Sequence, residues 1–383
     1  MTNPVFILSL FDTGYYAARL LKNTGATILG FDHDSSNPGF FSSLINPFLV
    51  PHPQKEPEKL YSFLLSKRGD FKEKPILIPA SELYLSFVQS FRSKLEKEFI
   101  FCIPSHDVLS KILNKSVQFE LAKEASIAVP KYENVTTPED LQNVPNKLNL
   151  PIIIKSLDQS LWKINVKEKA FLISNNTELL KTGSELLNRN VAFIAQELIS
   201  GPITNNYEFN ALMVNGKFIH SHIIRKIQQY PLGFGAACCI EVVKNEIIEK
   251  LGLQFIESNK IEGFSNTEFK YDSLTGNYYF IETNARVWQQ IELTNKMGEN
   301  IMESFYACMT KHTLPEKISI HKENILWIDL PAFLLLYKRY RQDAGLSFST
   351  MFRTVISACN FGLLHLSDLK PFIYTVLIKK KRK

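Results

Sequence analysis

Two short runs, residues 264–271 and 277–284, flank Asp272-Ser273-Leu274-Thr275-Gly276 and bring together Glu268, Lys270, Glu282, Asn284 and, just beyond, Arg286. The Asp and Gly suit a turn, so the runs are expected to form an antiparallel hairpin. A turn centred on Thr275 sets Glu268 opposite Glu282 and Asn266 opposite Asn284. Side chains alternate faces along a strand, so Glu282, Asn284 and Arg286 share a face if the strand runs that far. Two like charges facing each other cost roughly 0.2–1 kcal/mol, and more when buried, which calls for a counter-ion. Magnesium suits these ligands, because it takes one or two carboxylates and completes its octahedron with phosphates and water; manganese is the alternative cation. A solvated hairpin face with an exposed ion pair, Glu282 to Arg286 or Glu268 to Lys270, accounts for the same spacing.

The elements that must carry this hairpin are legible in outline. Residues 5–10 form an apolar run, a helical pattern follows through Leu20 and Leu21, and residues 27–31 close at Asp32. That β-α-β order opens a parallel sheet. Its first turn, Phe11-Asp12-Thr13-Gly14, lacks the GxGxxG spacing of a dinucleotide site. A strand at 75–79, a helix at 81–97 and a strand at 98–103 complete a Rossmann-like α/β domain over residues 1–105. Two short helices are expected at 107–125, with Pro130 and Pro138 marking loops. From 151 to 309, strands at 152–155, 170–174, 193–198, 209–214 and 217–223 alternate with helices such as 177–188, in a mixed order that favours antiparallel pairing. This defines a second domain, 106–311, in two parts at about 106–195 and 196–311. Residues 312–383 read as a mostly helical segment rich in Leu, Phe and Tyr, ending in a basic tail.

Composition narrows the class. The 383 residues are 45% hydrophobic and 21% charged, as in ordinary globular proteins. The net charge of +6 owes five charges to Lys379, Lys380, Lys381, Arg382 and Lys383, so the body is nearly neutral and no nucleic-acid partner is expected. The five cysteines form no CxxC pair, which suggests neither a disulfide framework nor a zinc site and fits a reducing compartment. With no secretory signal pattern and no apolar run of spanning length, a cytoplasmic location is expected. The tail could touch anionic lipid or remain solvated.

With the hairpin as anchor, residues 5–310 resemble the ATP-grasp superfamily, and within it carboxylate-amine ligases of the D-aspartate ligase branch. The most specific match is Glu-x-Asn-x-Arg after a strand, here Glu282-Thr283-Asn284-Ala285-Arg286, preceded by the acidic strand Thr267-Glu268-Phe269-Lys270. The resemblance implies an α/β ATP-grasp fold, with Glu268, Glu282 and Asn284 as magnesium ligands and Arg286 facing the transferred phosphoryl group. It implies Lys115 and Lys155 as phosphate-neutralising cations, although a lysine at a strand end is ordinarily just solvated. Gln196, Glu197, Leu198 and Ile199 match the strand that reads adenine, and Glu208 falls where an acid meets the ribose hydroxyls. Arg225, and secondarily Lys226, would meet the acyl phosphate or substrate carboxylate, ahead of Gly233-Phe234-Gly235. One departure stands out: residues 156–182, where a glycine-containing lid is usual, hold no glycine and offer Ser156, Ser160, Trp162, Lys163, Lys167 and Lys169 instead, which points to a stiffer or substrate-specific lid.

The expected activity is ATP-dependent joining of a small-molecule carboxylate to an amine through an acyl phosphate. The alternatives are a nucleotide-binding protein without turnover and a carboxylase of the purine-biosynthesis type. A homodimer is compatible with all three.

Overall fold

The computed structural model describes residues 2–157, 162, 165–311 and 323–378. Among these residues the strands form three sheets. The first is parallel, built from β1 (Val5–Leu8), β2 (Ile28–Asp32), β3 (Asn46–Leu49) and β4 (Ile76–Pro79) in the order β3-β2-β1-β4. Every residue of β1, β2 and β4 is buried, which explains why these strands read as continuous apolar runs rather than as alternating ones.

The second sheet is antiparallel and small: β5 (Tyr132–Val135), β6 (Ile152–Ser156), β7 (Ala170–Ile173) and β8 (Phe193–Glu197), in the order β5-β8-β6-β7. The helices Pro138–Lys147 and Asn176–Asn188 pack against it through Leu141, Val144, Leu179 and Leu186. Both start on side-chain caps, Thr137 and Asn175, which accept the otherwise unpaired amides of the first turn.

The third sheet is the largest. It comprises β9 (Asn206–Val214), β10 (Lys217–Tyr230), β11 (Ala236–Val243), β12 (Gly263–Asp272), β13 (Asn277–Asn284), β14 (Leu326–Ile328) and β15 (Ala358–Asn360), ordered β13-β12-β9-β10-β11-β14-β15. All its pairs are antiparallel except β14 with β15. One face, through Phe209, Met213, Phe269 and Phe280, buries apolar side chains against the helix Glu246–Ser258.

Several expectations are corrected. Residues 98–103 do not extend the first sheet; only Ile100 makes an isolated bridge, to Ile76. The chain then passes so close to the start of β12 that a Cβ on Gly263 would lie 2.4 Å from the Cys102 carbonyl oxygen. The helix read over 81–97 is two pieces, Glu82–Ser90 and Arg92–Leu95, broken at Phe91. The segment beyond 312 is not helical alone: β14 pairs with β11 and β15 with β14, so it widens the main sheet. The short strands β3 and β5 carried no signal strong enough to be read. Ser160, Lys163 and the tail from Lys379 to Lys383 lie outside the described residues. No helix among the described residues is long and apolar enough to cross a membrane.

Gly263 has φ of +82° as well as the close carbonyl. Gly263→Ala should therefore destabilise the chain by about 2–4 kcal/mol, from left-handed backbone strain plus overpacking, in urea unfolding.

Candidate active site

The antiparallel register lines up one cross-strand row as His222, Asn210, Asn266 and Asn284, on β10, β9, β12 and β13 in turn. Two residues along, and so on the same face, the next row reads Ile224, Glu208, Glu268 and Glu282. The hairpin register read from the sequence is the one observed: Glu268 faces Glu282 and Asn266 faces Asn284, before a bulge between Glu268 and Phe269 shifts the pairing by one. Three carboxylates therefore stand side by side across adjacent strands.

Two lysines from other elements answer them. Lys226, further along β10, places its ammonium 2.7 Å from Glu268 and 3.3 Å from Glu208. Lys115 opens the helix Lys115–Glu124, whose N-cap Asn114 accepts the amides of Ser116 and Val117, and its ammonium lies 2.5 Å from Glu282. Burial opposes ionisation of Glu282, but attraction by Lys115, helped by Lys169 and Lys155, outweighs it and holds the carboxyl well below the usual range. Burial likewise works against the charge on Lys226, and the carboxylates of Glu268 and Glu208 overcome it, raising that amine. Glu208 is pushed up by its own burial.

Lys155 behaves oppositely. Burial and then repulsion from Lys115 pull its amine down to about 7, although Glu282 and Glu268 attract it and its ammonium sits 4.7 Å from the Phe119 ring centre. It closes β6 and faces a cleft of about 370 Å³ between the second and third sheets. Lys115, Ser156, Lys169, Gln196, Leu198, Ile199, Lys226, Lys270, Glu268 and Glu282 line this cleft too. Gln196 Oε1 and Ser156 Oγ are buried there without a hydrogen-bond partner. Such orphaned polar atoms are costly and call for ordered water or for donors and acceptors on an occupant.

Five expected residues are not among those lining the cleft: Arg225, Glu197, Glu208, Arg286 and Asn284, the last of which faces the neighbouring cavity. Arg225 and Lys226 point to opposite faces, as strand neighbours must, and Arg225 pairs with Glu241 instead of facing a substrate carboxylate. Glu197 turns its carboxylate outward to cap the backbone and side-chain amides of Asn149, leaving only its backbone near the cleft. Glu208 is buried beneath Lys226 and bonded to Asn266. Arg286 lies beyond the end of β13, beside Glu82 at 3.8 Å, and is not among the residues lining the narrower cleft.

A second cavity, of about 1020 Å³, adjoins the site between the first sheet's helices and β13. His33, His52, Glu82, Ser86, Lys115 and Asn284 are among its walls, so Lys115 faces both spaces. Lys270, Asn206 and Phe234 line the cleft without having been singled out as site residues. Their signal was parity for Lys270, which lies two residues past Glu268 on one strand. Trp162 is buried, its indole N–H donating to the Glu168 carbonyl, and so ties down part of the glycine-free lid.

The donor set fits magnesium. Glu268, Glu282 and Asn284 present hard oxygens at neighbouring positions of two paired strands. Among the described residues no group of three or more His, Cys, Asp or Glu is placed to hold a metal ion.

Two consequences are measurable. Lys226→Met should lower stability by about 3 kcal/mol at pH 7, because Glu208 and Glu268 lose their buried partner, as read from urea unfolding. The Lys155 amine, at about 7 when folded, binds fewer protons than in the unfolded chain between there and 10.5. Stability should therefore rise with pH across that window, and Lys155→Met should flatten the rise.

No protein-family model matches the chain. D-aspartate ligase of Enterococcus faecium (strain Aus0004) is 22% identical over 304 residues, spanning 74% of this chain and 70% of that protein. Among solved structures, L-amino acid ligase from Bacillus licheniformis superposes with a TM-score of 0.64 at 15% identity, over 81% of this chain and 74% of the other. N5-carboxyaminoimidazole synthetase from Staphylococcus aureus, complexed with ADP, gives 0.64 at 14%, over 84% and 82%. The chain has the ATP-grasp fold and is a sequence relative of D-aspartate ligase.

Proposed function

We propose that the protein is an ATP-dependent carboxylate-amine ligase. The observation that carries this reading is the meeting of Glu268 and Glu282 with Lys115, Lys155 and Lys226 around one cleft that also holds orphaned polar atoms, with Asn284 one position along the same strand face on the adjoining cavity. The sequence relationship to D-aspartate ligase and the fold shared with an L-amino acid ligase support the same chemistry. In this reading residues 1–105 form the pre-ATP-grasp domain, 106–311 the ATP-grasp domain and 312–383 a C-terminal extension.

The adenine lies against Leu198 and Ile199, with Gln196 Oε1 meeting a donor on the base. Lys115 and Lys155 neutralise the phosphates as point charges. Glu268, Glu282 and Asn284 would hold magnesium, which when bound would draw charge from the phosphoryl oxygens. The carboxylate substrate enters from the wider cavity, on the Lys115 and Asn284 side, attacks the terminal phosphorus and releases ADP. The amine then attacks the acyl carbon and expels phosphate. Most of the rate comes from alignment and from preorganised cations rather than from covalent catalysis by the protein. The space beside Glu82 and Arg286 positions that acceptor end, and its volume admits substrates well beyond a single amino acid.

ADP and phosphate should appear only when a carboxylate and an amine are both supplied, and Glu282→Gln should remove this turnover while leaving the thermal unfolding transition in place. Full turnover in Glu282→Gln would sink the site assignment. Tight ATP binding with no ADP released across a broad substrate panel would favour a sensor role, and strict dependence on bicarbonate would favour carboxylation.

A further inference from the structure

Behind the row that ends at Asn284 runs a buried chain of polar side chains that the ligation chemistry itself does not use. Glu299 Oε2 lies 2.7 Å from His220 Nδ1, and His220 Nε2 lies 2.8 Å from His222 Nδ1. His222 Nε2 is 3.4 Å from Asn210 Nδ2. Asn266 Nδ2 donates to Asn210 Oδ1 and to Glu208 Oε2, both at 2.8 Å, and Asn284 Nδ2 approaches Asn266 Oδ1 at 3.4 Å. Glu299, His220, His222, Asn210, Asn266 and Glu208 are all buried.

With the amides of Asn210 and Asn266 oriented as they stand and Glu299 accepting, the chain has one self-consistent set of donors. An ionised carboxylate only accepts, so His220 carries its proton on Nδ1 and exposes a bare Nε2. That nitrogen accepts from His222 Nδ1–H, which leaves His222 Nε2 bare to accept from the Asn210 amide. Starting from the other end gives the same answer: an amide NH₂ cannot accept, so Asn210 must donate to His222. Burial, reinforced by His220, holds the His222 imidazole neutral. Asn266 spends both amide hydrogens, on Asn210 and Glu208, and its carbonyl is left for Asn284 Nδ2. Asn284 then has its own amide oxygen as the free end.

We infer that Glu299 is a remote positioning residue, which acts through His220, His222, Asn210 and Asn266 to fix the amide of Asn284 with its oxygen, not its nitrogen, toward the metal position. The inference rests on the reading of Asn284 as a magnesium ligand. A flipped Asn284 would aim N–H groups at a cation, so an anchor that forbids the flip favours the metal-binding form. Glu208 holds Asn266 from the other side, so loss of Glu299 should weaken this bias rather than abolish it. Ser304 Oγ donates to the second Glu299 oxygen and keeps that carboxylate in place. The Trp288 ring, 5.4 Å from the His222 ring, shields the middle of the chain.

The test uses the full chain. Nitrogen-15 spectra of the histidine rings should report His220 and His222 as Nδ1–H tautomers with bare Nε2, assigned through single His substitutions. Mn2+ binding in the presence of ADP, followed by electron paramagnetic resonance, should weaken on the order of tenfold in Glu299→Gln. His222→Phe, similar in size and apolar beside Trp288, breaks the chain at its middle and should show the same loss if Glu299→Gln folds poorly. ADP affinity measured without metal should not change in either variant, which a general loosening of the fold would not allow. An Nε2–H tautomer at either histidine, or unchanged Mn2+ affinity in both variants, overturns the inference alone. Absence of Mn2+ binding by the unaltered chain overturns the ligase-site reading and takes this inference with it.

Discussion

Three carboxylates in one cross-strand row, Glu208, Glu268 and Glu282, are the constraint around which the site is built. Neighbouring strands lie only about 4.8 Å apart, so such a row repels itself and cannot be buried without cations. Lys226 comes from an adjacent strand of the same sheet and Lys115 from a helix outside it. The second choice matters more. By reaching Glu282 from the helix Lys115–Glu124, Lys115 ties that helix to β13, and Gln118 on the same helix bonds both backbone groups of Thr283. The electrostatic need of one strand thereby fixes where a neighbouring element must sit.

What the sequence made legible follows from locality. The hairpin register was readable because Asp272 to Gly276 sets the turn and side-chain parity does the rest. Helix was legible over 107–125, and Asn114 caps the one that Lys115 opens. The expected residues that the cleft does not gather depend on partners far away in sequence. The resemblance placed Arg225 at the acyl phosphate or substrate carboxylate, but its face is decided by the register of β10, and that face belongs to Glu241. The resemblance placed Glu208 against a ribose, whereas its depth beneath Lys226 depends on how β9 is flanked by β10 and β12, which no local pattern reveals. Glu299 lies far from any motif; only the fold brings it to His220.

Burial and charge divide the lysines into two kinds. Lys115 and Lys226 have carboxylates within reach and stay cationic despite burial. Among the described residues Lys155 has no ion-paired carboxylate, and it is pulled down to about 7, largely by the same burial and by Lys115. A site intended only to store ion pairs would not hold a third amine so unfavourably. A polyanion in the cleft would reverse the balance, because a phosphate beside Lys155 favours the charged form that the free protein disfavours.

The same logic bears on how a nucleotide could enter a site whose charges are already paired. A bare cation at Glu268 and Glu282 would displace Lys115 and Lys226 and leave both ammoniums unpaired in a buried setting. A bare triphosphate would attract the lysines and leave the carboxylates exposed to one another. Either half-exchange leaves buried charge uncompensated, which costs several kcal/mol. A metal-nucleotide complex brings both signs together: the cation replaces the lysines at the carboxylates while the phosphates receive the released ammoniums. Every buried charge then keeps a partner throughout the exchange. Under the proposed function, metal and nucleotide therefore bind as one unit, and the ion pairs at Glu282 and Glu268 are the form in which the free protein holds the site ready for both.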